Sequence, residues 1–123
     1  MPLERVLGAV VYIAAHSAQP GVASQDARNN LAIGEPDGAL SPRALRLARL
    51  LTQAGVQCEA SPRIHEAVWI KAAGNATFNP LSVLAHARMD ALVSDPYLSR
   101  LARALLHEYL SLGKALGLAL DVT

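Results

Sequence analysis

The chain has 123 residues, of which 52% are hydrophobic and 17% charged, and its net charge is +1. That composition excludes a disordered chain, and the balanced charge offers no footprint for nucleic acid or an acidic membrane surface. Cys58, the only cysteine, excludes an internal disulfide and a cysteine-based zinc site, and fits a reduced, cytoplasmic setting.

The first apolar run, Val6 to Ala15, is rich in β-branched residues and predicts a strand buried on both faces. It is too short to span a bilayer and lacks the flanks of a signal peptide. Ala18-Gln19-Pro20-Gly21 predicts a turn. Val22–Gln25 and Leu31–Gly34 read as short strands around the polar turn Asp26–Asn30, in a hairpin or meander. Glu35-Pro36-Asp37-Gly38 brings two carboxylates into one turn. Paired carboxylates can act as acid and base or hold a metal, but no histidine or third carboxylate stands beside them. A solvated turn is the preferred reading.

Ser41-Pro42 predicts an N-cap and first helical residue, with the helix running to about Ala54 and Gly55 as its stop. Ala44, Leu47, Ala48 and Leu51 form its apolar stripe. Arg43, Arg46 and Arg49 recur every third residue. Such a row can bind phosphate, but it is more simply the wet side of an amphipathic helix. Val56–Ala60 alternates and predicts a strand, with Cys58 on its apolar side and no basic partner to activate it.

A composition boundary falls near Ser61-Pro62. Before it the reading is mixed α/β, and after it everything reads helical. One helix opens at Ser61-Pro62 and packs Ile64, Ala67 and Val68 inward. Trp69 reads as packing. Pro80 begins a second helix, through about Val93. Asp95-Pro96 caps a third, on which Leu98, Leu101, Ala102, Leu105, Tyr109, Leu112 and Leu116 recur at helical spacing and Gly117 ends the run. His16, His65, His86 and His107 make no metal-type pair at i, i+4. His16 ends the long strand, where α/β sheets place ligand sites, though a loop histidine is the simpler account.

The chemically richest stretch is Trp69-Ile70-Lys71-Ala72-Ala73-Gly74-Asn75-Ala76-Thr77-Phe78-Asn79-Pro80. Residues four apart share a helix face, so Lys71 and Asn75 point the same way. Asn79 falls near that line, although Pro80 biases it away from helical geometry. An ammonium and two carboxamides among small neighbours suit a small polyoxygenated anion. The plainer alternatives are a solvated lysine and an Asn79 N-cap followed by proline.

Trp69-Ile70-Lys71, Asn75 and Asn79-Pro80-Leu81 resemble the substrate-site helix of the 2-dehydropantoate 2-reductases, the ketopantoate reductases of pantothenate biosynthesis. Val10-Val11-Tyr12 with Ala15-His16, Pro20-Gly21-Val22 and Ile33-Gly34-Glu35-Pro36 resemble the last strands of that family's nucleotide-binding domain. The resemblance implies the α/β end of a Rossmann-type NADP-binding domain over residues 1–61. Residues 62–123 would then begin an all-α region, the start of a helical substrate and dimerisation domain of the 6-phosphogluconate-dehydrogenase type. It implies an NADPH-dependent oxidoreductase with a 2-keto acid substrate, Lys71 as general acid, and Asn75 and Asn79 as substrate ligands. No combination of the chain's glycines makes a G-x-G-x-x-G turn. The chain is therefore expected to be an internal piece of such an enzyme, inactive alone. The competing readings are a helical interaction module that forms a homodimer through its leucine face, and a reductase of another 2-keto acid.

Overall fold

The computed structural model describes residues 2–120, the side chain of Arg28 excepted. The chain divides into two compact units, Met1–Ala67 and Val68–Thr123.

The first unit is built on a sheet of strand order β1-β2-β3, with β1 at Gly8–Gln19, β2 at Val22–Gly34 and β3 at Gln57–Ala60. β1 and β2 form one long antiparallel hairpin, from Gly8↔Gly34 to Gln19↔Val22. The predicted turn at Pro20-Gly21 joins them, with Gly21 at φ +80°. The stretch Asp26–Asn30 is strand and not the expected turn. The pairing slips between Ile13 and Ala14 and again between Ala14 and Ala15. Such bulges absorb polar residues without ending a ladder, and water reaches this exposed end of the hairpin.

The prediction that Val6–Ala15 is buried on both faces also fails. Val10 is buried at 4% exposure, whereas Val11 and Ile13 stand at 48% and 49%. β1 lies at the edge of the sheet, and its cover packs on one face only, where Val10, Ala32 and Ile64 cluster with Tyr12 and Ala67.

Helix α1, Pro42–Gln53, links β2 to the parallel strand β3. Ser41 caps it as predicted, accepting from the Ala44 N–H at 3.1 Å. Of its apolar stripe, Ala44 and Ala48 are buried and Leu47 is exposed.

Helix α2 spans Ile64–Ala85. At its start Ile64, 1% exposed, lies over the Gly8↔Gly34 pair of the hairpin. A Cβ on Gly34 would stand 2.4 Å from the Ser61 carbonyl oxygen and 2.6 Å from the Ile64 Cβ. That close approach needs the missing side chain.

The second unit is helical, as expected, but the bounds of its helices differ. Pro80 does not start a helix; it lies inside α2. Phe78, Leu81 and Ala85, on both sides of the proline, pack into one core with Leu92, Ala102, Leu98 and Leu105. Tertiary packing there outweighs the lost hydrogen bond. The chain then leaves α2 through His86, at φ +49°, and forms the short helix α3, Met89–Ser94. Helix α4, Pro96–Ala115, is capped by Asp95 as predicted, its carboxylate accepting from the Tyr97 and Leu98 N–H groups at 2.9 and 2.8 Å. No helix among the described residues is long and apolar enough to cross a membrane.

Candidate functional site

Because α2 runs unbroken through Pro80, Lys71, Asn75 and Asn79 all lie on one helix. Each step of four residues advances the face by about 40° and the axis by about 6 Å. The three side chains therefore form a shallow spiral about 12 Å long. Lys71 is half-buried, and Asn75 and Asn79 are exposed. Gly74, beside them, has open space where a Cβ would stand. Proline has no N–H, so the carbonyl four residues earlier, that of Ala76, loses its usual donor. The expected bias of Asn79 out of helical geometry is not observed.

What sets the direction of this row is the seam two positions away. Ala73, Thr77 and Leu81 are buried at 1%, 1% and 6% exposure, and Trp69 stands at the head of the same four-residue spacing. Residues two apart on a helix point about 160° away from one another. Burying 73, 77 and 81, with Trp69 partly buried, therefore turns 71, 75 and 79 outward. Trp69 acts as packing, as predicted. Its Nε1–H donates to the Tyr109 carbonyl at 3.1 Å, and the two rings lie 4.9 Å apart, tilted by 40°.

The Glu35 turn is not the solvated turn expected. Glu35 is only 6% exposed. Arg43 grips it through Nε to Oε1 at 2.6 Å and through Nη2 to Oε2 at 2.5 Å, and the Ser41 hydroxyl donates to Oε1. The hydrogen bond from Arg43, reinforced by that from Ser41, lowers the Glu35 carboxyl from its ordinary 4.5 to about 2, while burial opposes the shift. The same guanidinium donates to the carbonyls of Glu4 and Val6. With both oxygens engaged, this carboxylate is a structural clamp and a poor general base. The legible signal was an acid and an arginine straddling the Ser41-Pro42 cap.

The remaining candidates belong to the first unit. His16 Nδ1 meets Asp26 Oδ2 at 2.8 Å on the open hairpin. His65 Nε2–H donates to the Pro36 carbonyl at 2.7 Å. A cleft of about 490 Å³ in this unit is lined by Tyr12, Asn30, Thr52, Gln57, Cys58 and Glu59. Burial, with a smaller contribution from Glu59, raises the Cys58 pKa, so the thiol is kept protonated and unreactive. No group of three His, Cys, Asp or Glu suited to a metal occurs among the described residues.

Residues 63–123 match the family described as ketopantoate reductase PanE/ApbA C terminal. A 2-dehydropantoate 2-reductase of Mesorhizobium japonicum is 34% identical over 119 residues, which cover 97% of this chain and 36% of the relative. A crystal structure bearing the ketopantoate reductase name, from Ralstonia solanacearum MolK2, superposes with a TM-score of 0.90 at 35% identity, covering 100% of this chain and 38% of that one. The 2-dehydropantoate 2-reductase of Geobacter metallireducens GS-15 gives a TM-score of 0.86 at 26% identity, covering 98% and 40%. The chain thus spans little more than a third of the length of the curated relatives it matches. A small sheet with one crossover helix, followed by a helical unit, is the fold shared with the Ralstonia solanacearum structure. On these grounds the chain belongs to the ketopantoate reductase family.

Proposed function

We propose that this chain supplies the substrate side of a reductase that converts 2-dehydropantoate to pantoate. In that reaction a ketone carbon gains a hydride and its oxygen gains a proton. Lys71 is the proton donor and the cation that meets charge building on the oxygen. Asn75 and Asn79 hold the substrate's hydroxyl and neighbouring oxygens, each able both to donate and to accept. The observation that carries this reading is the outward row Lys71, Asn75, Asn79 on an unbroken α2. The reductant that the family resemblance implies is NADPH. The described residues contain no glycine-rich strand-to-helix turn to cradle its pyrophosphate. The family resemblance assigns residues 1–61 to the end of a nucleotide domain.

A fixed cation aimed at developing negative charge in a dry site is worth on the order of 100-fold in rate. In the full-length reductase, Lys71→Ala should lower kcat by about that factor while NADPH affinity stays nearly unchanged. Near-normal turnover would remove Lys71 from this role. NADPH titrated against the 123-residue chain, followed by fluorescence, should show no tight saturable binding.

A second reading is an association surface on α4. Leu101, Leu112 and Leu116 are 46%, 53% and 65% exposed although they lie on its predicted apolar stripe. Sedimentation tests it: a monomer at all accessible concentrations argues against a homodimer through this face.

A further inference from the structure

The aim of the lysine row depends on one contact far along the sequence. α4 places Gly113, which is buried, against the ring of Trp69. A Cβ at position 113 would stand 2.3 Å from Trp69 Nε1, 2.8 Å from its Cδ1 and 2.7 Å from Leu120 Cδ1, against an ordinary contact of 3.4 Å or more. The ring has little freedom to yield. Its N–H is committed to the Tyr109 carbonyl, and its face lies against the Tyr109 ring.

Glycine inside a helix costs about 1 kcal/mol relative to alanine. Gly113 sits in the last turn of α4, but the helix continues past it to Ala115, and φ at 113 is not positive. Its value is therefore the space it leaves.

We propose that Gly113 and Trp69 are positioning residues for the reaction assigned above. The glycine forms a seat for the indole, the seated indole fixes the rotation of α2 about its axis, and that rotation sets the aim of Lys71, two positions away. The inference rests on the proposed role of Lys71. Neither Gly113 nor Trp69 touches the substrate in this account. Both act through the helix. The lever is short. Trp69 and Lys71 are separated by a single residue on a rigid helix. Moving the ring off its seat must either break the Tyr109 hydrogen bond or turn the backbone that carries Lys71.

The test is a double-mutant cycle in the full-length reductase, comparing kcat for wild type, Lys71→Ala, Gly113→Ala and the double variant. A packing defect unrelated to Lys71 multiplies independently with the lysine effect. A mis-aimed lysine does not, because little is left to lose once its side chain is removed. The expected result is a loss of about 10-fold in kcat for Gly113→Ala, and a double variant within about 3-fold of Lys71→Ala alone. Trp69→Phe repeats the cycle with a milder change, since it keeps an aromatic ring and removes only the N–H and the five-membered ring. It should give the same non-additive pattern. Losses that multiply in both cycles would overturn the positioning role while leaving the role of Lys71 intact. A Lys71→Ala variant with near-normal turnover would instead overturn the function on which the proposal rests.

Discussion

The two units of the chain use the same packing device with different consequences. In the first, Ile64 is seated over Gly34, and the atoms that a Cβ would strike include a backbone carbonyl, that of Ser61, at 2.4 Å. In the second, Trp69 is seated against Gly113, and the three atoms nearest to a Cβ there all belong to side chains. Backbone held by a strand and by the Ser61 N–H to Ile33 carbonyl bond, at 2.7 Å, cannot step aside. Side chains can, at the expense of what they were bonded to. The first seat therefore governs whether the sheet unit folds, and the second governs how a helix is aimed.

The comparison is broken most easily at its rigid end. Gly34→Ala should cost about 3 kcal/mol or more, read as a shift of the urea midpoint. A cost within 0.5 kcal/mol would mean that the Ser61 backbone yields freely and that the two seats do not differ. In the helical unit Leu92 is 0% exposed. Leu92→Ala should cost about 3 kcal/mol by leaving a cavity between α2, α3 and α4 residues. Asp95→Ala removes the acceptor of two N–H groups at the start of α4 and should cost about 1 kcal/mol.

The mildest effect appears only in acid. The Glu35 carboxyl is held below its ordinary value, so its clamp contributes fully above about 4.5 and is lost as pH falls toward about 2. Glu35→Gln should flatten the pH dependence of stability across that window. An unchanged slope would show that Arg43 does not hold the carboxylate in solution.

Local chemistry was legible where one residue type decides one conformation. Ser41 before Pro42 and Asp95 before Pro96 gave their caps, and Pro20-Gly21 gave its turn. That Lys71 and Asn75 share one helix was also legible, because spacing on a helix needs no tertiary information. Pro80 misled because its local preference is to end a helix, while Phe78, Leu81 and Ala85 hold both sides of it in one core. Glu35 misled for a related reason. Its partner lies eight residues on, and only the turn into α1 brings them together. The Trp69–Gly113 contact was invisible, since nothing in a glycine near the end of a helix reports what lies across from it.

The central claim is that Lys71, Asn75 and Asn79 face one small anionic guest together. Pantoate titrated into the full-length reductase, with side-chain nitrogens followed by NMR, tests it directly. Saturating shifts of the Lys71 ammonium and of both carboxamides, fitting a single dissociation constant, are the predicted result. Binding that leaves all three resonances where they were would contradict the account.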